Sequence, residues 1–199
     1  MRRKAGDGVR VIVVFSVFLF VSTAMTLGQD RSFIESKIRE WQAAVARNPK
    51  DYETLAAIGS AYGKLGENAA AVTYFNKAIA ANPSYADAYL GLGTAYGFLG
   101  RPTEALAALR KAVSLDPNDP NGHLKLGTTL GKAGKYPEAI TELKAGVALK
   151  PDLADAHFAL GLAYLSTGDR QNALAEAAVL SRLDRQLSGQ LQGLIDRSR

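Results

Sequence analysis

The chain contains no cysteine. That absence excludes disulfides, thiolate metal sites, cysteine nucleophiles and a lipidated N-terminal cysteine together. Histidine is nearly as scarce, with His123 and His157 the only two in 199 residues. No carboxylate recurs beside both at a ligand spacing such as i, i+4: Asp119 stands four residues before His123, but Leu153 holds that place before His157. A charge excess is missing as well. The formal net charge is +5, but Arg2, Arg3, Lys4 and Arg10 against Asp7 account for most of it, leaving 20 basic and 18 acidic residues over 29–199. No basic stripe with interleaved aromatics remains to hold nucleic acid. Hydrophobic residues make up 47% and charged residues 22%, which excludes wholesale disorder and a collagen-like fibre.

Long apolar runs are confined to the N-terminus. Met1–Arg10 is basic, Val11–Val21 is apolar except for Ser16, and Ser22–Gly28 is small and uncharged. This is the grammar of a secretory signal over 1–28, cleaved after Gly28 or after Ala24. The alternative is a retained anchor, because Val11–Leu27 offers 17 uncharged residues, at the short edge of the roughly 17–25 that span a bilayer. Basic residues on the N-terminal side keep that end in the cytoplasm in either case. The expected location is therefore exported: periplasmic or secreted after cleavage, or outside the cytoplasm on an uncleaved anchor, which would be the only membrane link.

The body is periodic. Pro49, Pro83, Pro117 and Pro151 are each 34 residues apart, and the period defines units 52–85, 86–119, 120–153 and 154–187. Position 8 of the unit is Gly59, Gly93, Gly127 and Gly161, and position 20 is Ala71, Ala105, Ala139 and Ala173. Position 7 is Ile58, Leu92, Leu126 and Leu160, and position 11 is Tyr62, Tyr96, Leu130 and Tyr164. Each unit reads as two helices. Asp51, Ser84, Asp119 or Asp152 caps the first, and Gly66, Gly100, Gly134 or Gly168 closes it. Pro102 and Pro137 suit the first turn of the second helix, and the next unit's proline ends it. Apolar positions 4, 7 and 11, then 24 and 27, form single stripes, while positions 8 and 20 let the helices approach.

On these residues the chain resembles the tetratricopeptide repeat family, whose pattern is Trp, Leu, Gly, Tyr, Ala, Phe, Ala and Pro at positions 4, 7, 8, 11, 20, 24, 27 and 32. The first unit supplies Leu55, Ile58, Gly59, Tyr62, Ala71, Phe75, Ala78 and Pro83, and the second Tyr89, Leu92, Gly93, Tyr96, Ala105, Leu109, Ala112 and Pro117. The third departs at His123, Leu130 and Gly146, and the fourth at His157, Ala177, Leu180 and Arg185. The resemblance covers residues 52–187. It implies an all-α fold, a right-handed α-solenoid of four helix–turn–helix repeats with flanking capping helices. A packing helix is expected over 30–48, with Trp41 and Ala44 at positions 24 and 27 of a preceding unit. At the other end Leu183, Leu187, Leu191 and Leu194 suggest an amphipathic helix, with 188–199 lying beyond the last unit.

No catalytic site is expected. His123 and His157 fall at position 4, where bulk packs between helices. Gly91-Leu92-Gly93 and Gly97-Phe98-Leu99-Gly100 lie in or at the end of a helix whose N–H groups are already used, so they cradle no phosphate. Arg182, Arg185, Arg197 and Arg199 are interspersed with Asp184 and Asp196 and read as a solvated face. No cofactor or metal is implied. The resemblance places positions 2, 5, 9, 12 and 13 on a concave groove that takes a protein or peptide. The candidate groove residues are Ser60, Lys64, Leu90, Thr94, Phe98, Leu124, Thr128, Lys132, Phe158 and Leu162. The Lys at position 5 and Asn at position 9 with which some relatives grip a C-terminal carboxylate are absent, so that specificity is not implied. Leu90, Phe98, Leu124 and Phe158 would supply apolar contact, and Ser60, Thr94 and Thr128 hydrogen bonds. The 183–195 segment folding into the groove is the competing expectation. Gly63, Gly97 and Gly131 at position 12 admit two explanations, a ligand backbone passing close or room for the helix end to turn. The expected function is a non-enzymatic interaction scaffold, with homo-oligomeric self-assembly as the alternative.

Overall fold

The computed structural model describes residues 30–198; the secretory signal or anchor expected over 1–28 lies outside them, as does Arg199. Helix α1 covers 30–47 and is followed by α2 (Tyr52–Lys64), α3 (Asn68–Ala81), α4 (Ala86–Phe98) and α5 (Pro102–Leu115). Then come α6 (Pro120–Lys132), α7 (Tyr136–Leu149), α8 (Ala154–Ser166), α9 (Arg170–Leu183) and α10 (Arg185–Arg197). Among the described residues there is no strand, and no helix is long and apolar enough to cross a membrane.

The turns inside the four units are the same device repeated. Gly66, Gly100, Gly134 and Gly168 take φ of 78, 68, 73 and 79°, the left-handed region that a side chain disfavours. The next residue's N–H then reaches back to the first helix: Glu67 to the Tyr62 carbonyl at 2.9 Å, Arg101 to Tyr96 at 3.0 Å, Lys135 to Leu130 at 2.9 Å, and Asp169 to Tyr164 at 2.8 Å. This satisfies carbonyls that the helix end would otherwise leave open.

Helix starts follow a stricter register than the prolines suggest. Asp51 accepts from the Thr54 N–H, and Asp119 from those of Asn121 and Gly122. Ser84 and Asp152 do not cap, which corrects the sequence expectation. The capping place is the last residue of each unit, and Ser84 and Asp152 stand one residue too early. Tyr85 and Leu153 occupy it and offer no side-chain acceptor to α4 and α8.

The helices form two rows. The inner helices α2, α4, α6 and α8 touch one another in series, and each outer helix (α3, α5, α7, α9) lies against the two inner helices beside it in sequence, with α10 taking that place after α9. Small residues set the spacing. A methyl group on Gly93 or Gly127 would stand 2.6 Å from Leu109 or Leu143 Cγ of the paired outer helix. The Phe75 ring serves two inner helices, lying over Gly59 and against Gly91, where a methyl would meet Cζ at 2.3 Å.

Both ends are covered. Ile38 of α1 is buried with Ile58 and Ala61, flanked by Ile34, Trp41 and Val45. Gln42 donates to the Tyr74 hydroxyl at 2.8 Å and the Tyr62 hydroxyl at 3.2 Å. At the far end α10 packs on α8 and α9. Its buried stripe differs from the one expected. Asp184 ends α9 and caps α10 through the Gln186 and Leu187 N–H groups, so Leu183 belongs to the preceding helix. Leu183 and Leu194 are partly exposed, while Leu191 and Ile195 are fully buried beside the half-buried Leu187.

Candidate partner-binding groove

One face of each inner helix remains open after the outer helices have packed. Position 2 presents Glu53, Asp87, Asn121 and Asp155, all exposed. Position 5 presents half-buried Leu90, Leu124 and Phe158, whereas Ala56 is buried. Position 9 presents exposed Ser60, then half-buried Thr94, Thr128 and Leu162. Position 13, at the helix ends, presents Lys64, Phe98, Lys132 and Ser166, with Phe98 75% exposed. Steps of three and four residues keep positions 2, 5, 9 and 13 on one helical face. The structure thus gathers the ten candidate residues on one surface. Helix α10 is seated against α8 and α9 and does not touch α2, α4 or α6, so it leaves this face uncovered there.

Two assigned roles change. The Thr94 and Thr128 hydroxyls donate to the Leu90 and Leu124 carbonyls of their own helices, at 2.9 and 2.7 Å. Their oxygens retain only acceptor capacity toward a partner. Leu90, Leu124 and Phe158 pack in part against the large core cluster, so they form the shallow floor of the surface. Phe98 stands free beside them.

The glycines at position 12 are not required by the fold. A methyl on Gly63 or Gly97 would meet nothing within 4 Å, and one on Gly131 only the Ala139 Cβ at 4.0 Å. Leu165 holds the same position in the fourth unit and its carbonyl accepts from Gly168 as Gly63 does from Gly66, both at 3.0 Å. The turn therefore needs no glycine there.

At the position-2 edge, Asp87, Asp116 and Asp119 line an indentation beside Leu90 of about 10 Å³, the space of one water. Burial, and after it the Asp87 carboxylate, pushes the neighbouring Tyr85 phenol above its ordinary range. Among the described residues no three His or carboxylate side chains converge as a metal site would require.

The histidines are structural, but their partners were missed. His123 Nδ1 lies 2.8 Å from Glu142 Oε2 and its Nε2 3.0 Å from the Pro117 carbonyl. His157 repeats this with Glu176 at 2.7 Å and Pro151 at 2.9 Å. Both rings are buried. Each ties an inner helix to its outer helix and to the loop before it. The signal was available at a longer spacing: each histidine has a glutamate 19 residues on, at position 23.

Several solved structures share this architecture. MamA is 24% identical with a TM-score of 0.72, covering 79% of this chain and 92% of its own. YrrB, a tetratricopeptide repeat protein with an unusual peptide-binding site, is 24% identical with a TM-score of 0.67, covering 87% of both chains. TTC0263, a thermophilic repeat protein of Thermus thermophilus, is 26% identical with a TM-score of 0.65, covering 87% of this chain and 94% of its own. No curated protein matches the sequence significantly. Three models of the tetratricopeptide repeat match residues 56–120, 108–141 and 132–168, an unbroken span over the helical pairs just described, and the chain belongs to the tetratricopeptide repeat family.

Proposed function

We propose that the protein is a non-enzymatic interaction scaffold that holds a protein or peptide segment against its inner helices, on the outer side of the cytoplasmic membrane. The observation that carries the reading is Phe98, a large aromatic side chain 75% exposed at the edge of an apolar floor that α10 leaves open on α4 and α6. Contiguous exposed apolar surface of this kind marks interaction sites. The peptide-binding site of the structurally similar YrrB supports it. The location rests on the basic and apolar grammar of residues 1–28.

The test is a photo-crosslinking residue in place of Phe98, in cells of the native source. One dominant foreign protein is the expected capture, and background labelling alone would defeat the groove reading. Phe98→Ala should weaken binding of the captured protein, measured with the purified partner, without moving the melting temperature, because the 75% exposed ring contributes almost nothing to the core. Fractionation with N-terminal sequencing checks the location; an intact N-terminus in the cytoplasmic fraction would refute it.

A second reading, self-assembly, is favoured by the outward side of α10. Leu194 is 39% exposed, and a methyl group on Gly189 would meet nothing within 4 Å. Concentration-dependent sedimentation would separate it from the scaffold reading.

A further inference from the structure

We infer that the groove takes an amphipathic helix whose two flanks carry opposite charge, and that these charges set the direction in which the helix lies; this rests on the scaffold reading above. The two edges of the open face differ in sign. Glu53, Asp87 and Asp155 stand exposed at one edge, joined by the Asp116 and Asp119 carboxylates around the indentation beside Leu90. Lys64 and Lys132 stand exposed at the other, on either side of Phe98, and neither is ion-paired among the described residues. Between the edges run Leu90, Leu124 and Phe158.

Dimensions choose the occupant. Positions 2 and 13 are eleven residues apart, about 16 Å along an inner helix, which fits a helix about 10–12 Å across between the edges. Adjacent packed helices lie about 8–10 Å apart, so a helix laid across them advances roughly six residues per inner helix. Its apolar stripe would rest on Leu90, Leu124 and Phe158 in turn. Basic side chains on one flank would face Asp87 and its neighbours, and acidic ones on the other would face Lys64 and Lys132. Turning the helix end for end exchanges its flanks, so only one direction satisfies both edges.

The charges also suit the helix ends that bear them, acidic in the first turn and basic in the last. A readout of binding direction separates the two roles. The probes are three labelled synthetic helices with one leucine stripe and flanks that are acidic and basic, both acidic, or both basic. Anisotropy should rank the mixed helix about tenfold tighter than the others near physiological salt. K64E/K132E should erase that preference and favour the helix with two basic flanks, with little change in melting temperature. A photo-crosslinker at the N-terminus of the mixed helix should label one end of the repeat stack, and exchanging its flanks should move the label to the other end. Equal affinities, no binding by any probe, or a label that stays put would overturn the inference. If Phe98 still crosslinks one foreign protein in cells, only the partner chemistry fails; if that capture is lost too, the scaffold reading fails with it.

Discussion

Leu191 of α10 lies directly on Gly161 of α8, so close that a methyl on the glycine would stand 2.4 Å from Leu191 Cδ2. In the first three units the same place over the position-8 glycine is filled from within the unit, by Phe75, Leu109 and Leu143 at position 24. The fourth unit has Ala177 there, and the closing helix supplies the missing bulk. Leu191→Ala should therefore open a cavity and cost about 2–5 kcal/mol. Ala177→Leu alone should destabilise by about 1–3 kcal/mol, because both leucines then compete for one slot. Combining the two should recover much of the loss, which urea unfolding would measure. A purely additive double variant would refute the shared slot.

The His157–Glu176 pair suggests a transplant. The second unit carries Tyr89 and Ala108 at those two positions and packs without a buried carboxylate. Glu176→Ala alone strips one ring nitrogen of His157 of its partner and should cost about 1–3 kcal/mol. Adding His157→Tyr recreates the second unit's pairing and should restore most of that stability, since apolar replacements of buried polar pairs are often neutral. A double-mutant cycle by chemical unfolding gives the coupling, and a value near zero would show that the contact contributes nothing.

Two glycines of α4 should respond with opposite sign. Gly91→Ala drives a methyl into the Phe75 ring and should cost about 1–3 kcal/mol of packing strain. Gly97→Ala meets nothing and should stabilise by up to about 1 kcal/mol through helix propensity. Thermal melts of the two variants decide it. If Gly97→Ala stabilises the fold yet weakens capture at Phe98, the glycine is kept for a partner that passes close to the backbone.

Acid should loosen the helix starts first. The Thr54 N–H, and then its hydroxyl, hold the Asp51 carboxyl below the ordinary range, and the Asn172 side chain followed by its N–H does the same for Asp169. A depressed folded value means the contribution is complete above the unfolded aspartate value of about 3.9 and is lost as pH falls through the folded value. Melting temperature should therefore drop below about pH 4. Asp51→Asn with Asp169→Asn keeps acceptors at both caps and should show a shallower drop, since Glu104 and Glu138 still titrate in both proteins. Parallel curves would refute the assignment.

The repeat register was legible because proline, glycine and alanine each answer to a local demand: a helix stop, a left-handed turn, a close approach. Phe98 was legible through the family resemblance, which assigns position 13 of the unit to the open face. What escaped depended on two elements at once. The glutamates facing His123 and His157 become visible only when an inner helix is laid against its outer helix, nineteen residues away. Ser84 and Asp152 looked like caps by residue type, and a one-residue offset of the helix start removed them. The closing stripe was misread because Asp184 breaks the leucine run, placing Leu183 on one helix and Ile195 in the core of the next.

Within α2–α10, every helix touches only helices one or two places away in sequence. Nothing in this stretch has to wait for a distant partner, so loop closure is a minor barrier and folding should be rapid for the chain's size. The stack can assemble in the order in which the chain emerges. Pulled from its ends, it would come apart like a zip, one unit after another from an edge, and each unit lost would leave its neighbour only half supported.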